Sequence, residues 1–291
     1  MTSFPLTKAQ VTAFLKEDLK KLDVAQDVTT NAIPTLKNKI SNFHFISKNS
    51  DPFLLCGVEA LEIILSVFAK KPFKVHTLKK DCETVKAGDV ILKGTANATE
   101  FLIAERISLN LMQQLSGVAT KTAYYMKLLE GTKIKVLDTR KTIPLFRSFQ
   151  KYAVKCGGGE NHRFGLFDMI LIKDNHIAAA GSIEKAIKSA ILVNKNNLKI
   201  EVECESLEQV QSAIKFPIHR IMLDNMSVQN INIATKIIRT SAQKIEIEVS
   251  GGVNLKNISE FKNCDIDFIS IGDLTHSISS VDISAKILDK L

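Results

Sequence analysis

From Ile134 onward the chain repeats one pattern: a short β-rich apolar run, a charged residue or glycine, then, in several cases, a helical stretch. The runs cover 135–138, 169–173, 200–203, 221–224, 245–249 and 268–272, and 182–193 and 207–214 read as helices between them. Strands alternating with helices specify βα units and a parallel sheet. In βα barrels the ligand meets the C-terminal strand ends. Here those ends carry Thr139-Arg140-Lys141, Lys173, Glu203, Asp224, Ser250-Gly251-Gly252 and Gly272, so a barrel-type site is expected.

The first third reads as mixed α/β: an amphipathic helix over 7–22, a strand around Phe43, Phe45 and Ile46, a buried helix over 58–69, a turn entering a strand over 85–91, and a helix over 100–114. The 291 residues suffice for one large barrel or two domains. A hydrophobic fraction of 45% against 24% charged excludes disorder. The five cysteines are odd in number and widely spaced, with no C-x-x-C, so neither a disulfide framework nor a zinc site is expected. Residues 1–10 lack the pattern of a secretory signal, and no apolar stretch approaches the ~20 residues of a membrane helix. A soluble cytoplasmic protein is expected. The net charge of +8 fits nucleic acid or small anions, but with no Trp and three Tyr there are few stacking platforms, so no nucleic-acid partner is expected.

Five clusters carry candidate chemistry. In Asp138-Thr139-Arg140-Lys141-Thr142, two adjacent cations suit a carboxylate or phosphate. In Cys156-Gly157-Gly158-Gly159-Glu160-Asn161-His162-Arg163, glycines permit close backbone approach and His162 and Arg163 add donors. Lys173 follows four apolar residues and calls for an anionic partner. Glu203 and Asp224 suit a divalent metal or ribose hydroxyls, although the pattern alone leaves open whether Glu201 or Glu203 faces inward. Ser250-Gly251-Gly252 and Ile271-Gly272-Asp273 suit a phosphate held on backbone N–H groups. The set fits a polyanion beside a phosphosugar and a metal.

These motifs resemble the quinolinate phosphoribosyltransferase family. The matching stretches are 104–106 through 115–120, 137–142, 151–153 through 161–163, 171–176, 201–203, 223–225, 249–252 and 270–277, in family order; Glu17-Asp18 and Asp27-Val28-Thr29-Thr30 are similar to the family's opening. The resemblance implies an N-terminal α/β sandwich over 1–116, completed by 277–291, and an incomplete TIM-like α/β barrel over 117–276. It implies transfer of phosphoribosyl from phosphoribosyl pyrophosphate to quinolinate with loss of carbon dioxide, in NAD biosynthesis, by a homodimer or an assembly of dimers. By resemblance, Arg106 reaches in from the partner chain, while Arg140, Lys141, His162, Arg163 and Lys173 hold the quinolinate carboxylates with Thr139 beside them. Glu203 and Asp224 serve the ribose and magnesium, with Lys173, Glu203 and Asp224 as the catalytic group. Ser250, Gly251, Gly252, Ser270, Gly272 and His276 form the phosphosugar edge. Asp273 stands where the family has a small residue. A relative that shares the scaffold but takes another acceptor is the alternative.

Overall fold

In a computed structural model, residues 3–288 are described; the extreme ends of segments 1–10 and 277–291 lie outside them. The chain divides into two compact units, one of residues 1–121, 148–158 and 278–291, the other of 122–147 and 159–277.

The first unit is built on an antiparallel sheet in which β1 (Ile40–Ser47) lies between β12 (Ile283–Leu288) and β5 (Val90–Asn97), and β5 also pairs with β3 (Lys74–Thr77). Residues on β1 alternate between buried and half-exposed, so Phe43 and Phe45 point to the core, where both pack on Phe101. The expected N-terminal helix is α1 (Lys8–Leu19), started by a reciprocal Thr7–Gln10 capping box. The helix α2 (Val28–Asn31) is capped by Asp27, and α3 (Ala60–Phe68) buries Leu61, Ile64 and Leu65. A short ribbon pairs β2 (Phe53–Leu54) with β4 (Thr84–Val85). The helix expected over 100–114 is α4 (Ala98–Leu128), 31 residues long. It runs through Gly117 because a Cβ there would lie 2.2 Å from the Ser279 carbonyl oxygen; only glycine lets residues 279–280 cross so closely. The helix α5 (Arg147–Cys156) has no counterpart in the sequence reading, although its inner face buries Phe149, Ala153 and Cys156.

The second unit is a six-stranded parallel sheet: β6 (Lys135–Leu137), β7 (Ile170–Ile172), β8 (Ile200–Cys204), β9 (Arg220–Asp224), β10 (Glu246–Ser250) and β11 (Phe268–Ser270), in spatial order β6-β11-β10-β9-β8-β7. Every expected run becomes one of these strands. The helices α6 (Asp174–Ala180) and α7 (Ile183–Val193) both follow β7, α8 (Leu207–Ala213) follows β8, α9 (Val228–Arg239) follows β9 and α10 (Asp273–His276) follows β11; serines cap three of them: Ser182, Ser206 and Ser227. β6 and β7 are the outer strands and do not pair with each other, which makes the barrel incomplete. Glu160 bridges to β6 instead: Asp138 N–H donates to its carbonyl at 3.1 Å and Glu160 N–H to the Val136 carbonyl at 2.8 Å. Among the described residues, no helix is long and apolar enough to cross a membrane.

Candidate active site

The strand ends of the second unit enclose a cavity of about 690 Å³. Its wall includes Thr139, Arg140, Lys141, His162, Arg163, Lys173, Asp224, Ser250, Gly251, Gly252, Ser270, Gly272 and His276. Of the residues anticipated from sequence, two stand apart from this wall. Glu203 is buried and accepts from Lys173 Nζ at 2.5 Å, so it acts on the cavity through that ammonium. Arg106 belongs to the first unit, exposed on α4.

Local folding explains how each cation is aimed. The bridge between Glu160 and β6 carries the glycine-rich segment past the end of β6. There the buried Asp138 carboxylate accepts from His162 N–H at 2.8 Å, fixing where His162 and Arg163 leave the backbone. Arg163 Nη1 donates to the Met169 carbonyl at 3.2 Å, which ties it to the start of β7. Burial, then the neighbouring Arg140 cation, lowers the Arg163 pKa, an electrostatic sign that the two guanidinium groups share one space. Lys141 N–H donates to Thr139 Oγ1 at 3.0 Å, and Thr275 Oγ1 donates to the Lys141 carbonyl at 2.8 Å.

The opposite edge is made of backbone. Gly251 and Gly252 have φ of +91° and +64°, and a Cβ on Gly251 would fall 2.2 Å from Asn225 Oδ1. Asn225 is itself left-handed and donates to Asp224 Oδ2 at 2.6 Å, orienting that carboxylate at the wall. Asn254 and Asn257 both donate to the Gly252 carbonyl. Asp273 also lines the cavity, and its carboxylate accepts from the Tyr125 hydroxyl at 2.8 Å.

Below the wall lies an arrangement that the sequence reading did not resolve. Glu201 and Glu203 are not alternatives: a strand returns to the same face every second residue, so both point inward at different depths. The deeper Glu201 lies 3.1 Å from His162 Nε2, and Glu248 on β10 lies 3.5 Å from the same nitrogen. Arg220 Nη1 donates to Glu248 at 2.8 Å, and its Nε and Nη2 donate to Glu246 at 3.1 and 2.9 Å. Burial raises Glu201, and with the Glu248 charge beside it the group reaches about 7. Burial opposes the His162 cation, yet Glu201 and Glu248 outweigh it and lift His162 to about 9. Glu248 is held low, against its burial, by His162, Arg220 and Ser270. His162, expected to hold a substrate carboxylate, lines the cavity and at the same time faces two protein carboxylates. The missed signal was polar residues alternating on buried strands: Glu201, Glu203, Arg220 and Glu248.

Two family profiles match the chain: "Quinolinate phosphoribosyl transferase, N-terminal domain" over residues 27–116 and the corresponding C-terminal domain over residues 118–286. The chain belongs to the quinolinate phosphoribosyltransferase family. A relative from Mycobacterium leprae, a carboxylating nicotinate-nucleotide pyrophosphorylase, is 39% identical over 234 residues, covering 80% of this chain and 82% of that one. The crystal structure of NadC from Streptococcus pyogenes superposes with a TM-score of 0.89 at 38% identity over 99% of this chain and 100% of the other. The nicotinate-nucleotide pyrophosphorylase of Ehrlichia chaffeensis gives 0.88 at 36% identity, covering 98% and 100%. Both α/β units of this phosphoribosyltransferase thus have counterparts throughout their length.

Proposed function

We propose that this phosphoribosyltransferase joins quinolinate to phosphoribosyl pyrophosphate, releasing carbon dioxide and pyrophosphate and leaving nicotinate mononucleotide for NAD synthesis. The supporting observation is that Arg140 after β6, Lys173 after β7 and Arg163 on the loop that precedes β7 line one cavity whose far side is a glycine edge. Two guanidinium forks and an ammonium suit a doubly negative ring, and backbone N–H groups at Gly251, Gly252 and Gly272 suit a phosphate.

In this reading Arg140, Lys141 and Arg163 hold the two carboxylates so that the pyridine nitrogen faces the anomeric carbon in line with the departing pyrophosphate. The nitrogen–carbon bond forms as the carbon–oxygen bond breaks, and positive charge that develops on the sugar is met by Asp224. The ring nitrogen is then cationic. The bond to the adjacent carboxylate breaks, carbon dioxide leaves, and the electron pair left on the ring is stabilised by that cation and by Lys173 until a proton arrives. Glu203 holds Lys173 charged and in place. No protein nucleophile is required.

The donor set also fits magnesium carried on the pyrophosphate: Asp224 presents a carboxylate at the wall, while Glu203, engaged by Lys173, would reach such an ion through water. Magnesium there would neutralise charge on the leaving group. The same reading has the enzyme work in the cytoplasm as a homodimer or an assembly of dimers, with Arg106 serving the site of the second copy.

The test is production of carbon dioxide and nicotinate mononucleotide from quinolinate and phosphoribosyl pyrophosphate, with nicotinate as the competing acceptor. Turnover of nicotinate but not quinolinate would overturn the assignment. Shared sites are tested by mixing inactive Arg106→Ala and Lys173→Ala chains: recovery of activity in the mixture is expected only if subunits complement each other.

A further inference from the structure

Outside the cavity, the described residues bring three metal-competent side chains together in the first unit, with a fourth, Cys82, next to one of them in the chain. The β2–β4 ribbon continues past its named strands: Leu55 N–H donates to the Glu83 carbonyl at 3.0 Å and Cys82 N–H to the Leu55 carbonyl at 2.8 Å. That pairing sets Cys56 beside Asp81 and Cys82. The helix α5 ends at Cys156, which the fold carries to the same place. The thiol sulfurs of Cys56 and Cys156 and a carboxylate oxygen of Asp81 all lie within 4.8 Å of one another. Cys82 follows Asp81 in the chain, and its thiol lies near enough to Cys156 for that group to raise its pKa.

We propose that Cys56, Asp81 and Cys156, with Cys82 as the fourth ligand, form a binding site for a thiophilic divalent cation of the zinc class. Sulfur at about 2.3 Å and carboxylate oxygen at about 2.0–2.2 Å from a tetrahedral ion imply ligand separations somewhat under 4 Å, so the cluster needs only a small contraction.

The carboxylate is oriented as a metal-bound carboxylate is. Gly57 N–H and the Tyr152 hydroxyl both donate to Asp81 Oδ2 at 2.9 Å, and Val58 N–H donates to Oδ1 at 2.9 Å, leaving Oδ1 a lone pair. Gly57, at φ +90°, makes the turn that aims two consecutive N–H groups at one carboxylate. Cys82 sits at φ +69°, a conformation that costs a non-glycine residue energy. Cys56 and Cys156 are buried, whereas Asp81 and Cys82 are partly exposed, so the cluster has an entrance.

Without a cation, burial favours the protonated thiol at Cys56 and Cys82, while the hydrogen bond from Cys56 shifts Cys156 the other way. Burial first, and hydrogen bonding and charge from Cys156 and Asp81 next, push Cys82 up to about 12. A bound dication reverses that preference: the thiols ligate as thiolates and their protons go to solvent. No oxidant is involved, and all five cysteines are reduced thiols. Sequence spacing hid this site because the three segments are far apart, with no C-x-x-C to announce them.

The experiment uses the full-length reduced protein, first cleared of metal with a chelator. Cobalt(II) should bind with a 1:1 end point, giving intense sulfur-to-cobalt charge-transfer absorption, and zinc should displace it with release of no further protons. Cys156→Ser and Cys56→Ser should weaken zinc binding at least tenfold, and Cys82→Ser, at the partly exposed position, should lower the absorption by one thiolate's share. Cys264→Ser, in the other unit, should leave the titration unchanged. Zinc should also raise the Tm of the unaltered protein, and less so for Cys82→Ser. Absence of the charge-transfer band in the unaltered protein overturns the proposal, whatever the fold of the variants. So does a band that survives intact in both Cys82→Ser and Cys156→Ser.

Discussion

Two layers of charge in the second unit make an instructive contrast. At the strand ends, Arg140 and Lys141 are exposed and Arg163 and Lys173 half-buried; among the described residues, ion pairs engage Lys173 but not Arg140 or Arg163. Deeper in, His162, Glu201, Arg220 and Glu248 are buried and answer one another's charge within a few ångströms. The deep layer had to be closed on itself, because an isolated charge removed from water costs far more than folding can tolerate. The outer layer could stay positive because water, or an anionic ligand, completes it. A paired support thus lies beneath an unbalanced cationic rim, and β8 serves both layers: Glu201 faces His162 below while Glu203 accepts from Lys173 above.

The contrast is broken most severely from below. Arg220→Met strands the buried Glu248 carboxylate and should cost about 3–5 kcal/mol of stability, read by urea denaturation; an unchanged midpoint would mean that Glu248 does not depend on Arg220. From above, Arg140→Ala or Arg163→Ala should leave that midpoint in place but reduce kcat/KM by two orders of magnitude or more, about 3 kcal/mol of lost transition-state binding. Near-normal turnover in both variants would remove the rim from the reaction.

A smaller effect follows from titration. His162 rises from 6.5 to about 9 in the fold, so its stabilisation is complete below pH 6.5 and is lost as pH climbs through 9. Glu201, raised to about 7, acts in the same direction between pH 4.5 and 7. Unfolding free energy should therefore fall on the alkaline side, by on the order of 2 kcal/mol between pH 6.5 and 9, and Glu201→Gln should flatten that slope. The smallest change is Tyr125→Phe, which unties Asp273 from its donor. It should cost about 1 kcal/mol of stability and raise KM for phosphoribosyl pyrophosphate, because the Asp273 carboxylate at the cavity wall loses the donor that partly offsets its charge.

Much of the catalytic unit was legible from sequence because its signals are local. A β-branched run followed by a serine-capped helix declares a βα unit, and the residue after each run is fixed at the strand end by period alone. Arg140, Lys173 and Gly251 are thus placed in one region by their sequence alone, whereas Arg163 arrives there on a loop. Asp138 and Glu248 could not, since each earns its role from a partner far away in the chain: the His162 N–H for one, Arg220 on the adjacent strand for the other. The long reach of α4 and the existence of α5 were also hidden, for Gly117 reads as a helix breaker until Ser279 is seen crossing over it.

What the sequence determined by itself was the order of βα units, the caps of their helices, and the residue types offered at the strand ends, all set by interactions among neighbours in the chain. Only the tertiary structure decided that Glu201 and Glu203 both face inward and bind different partners, and that two cysteines and an aspartate meet in the other unit. Those outcomes depend on strand register and on contacts between distant segments, where a displacement of a single residue would reverse the side on which every side chain lies.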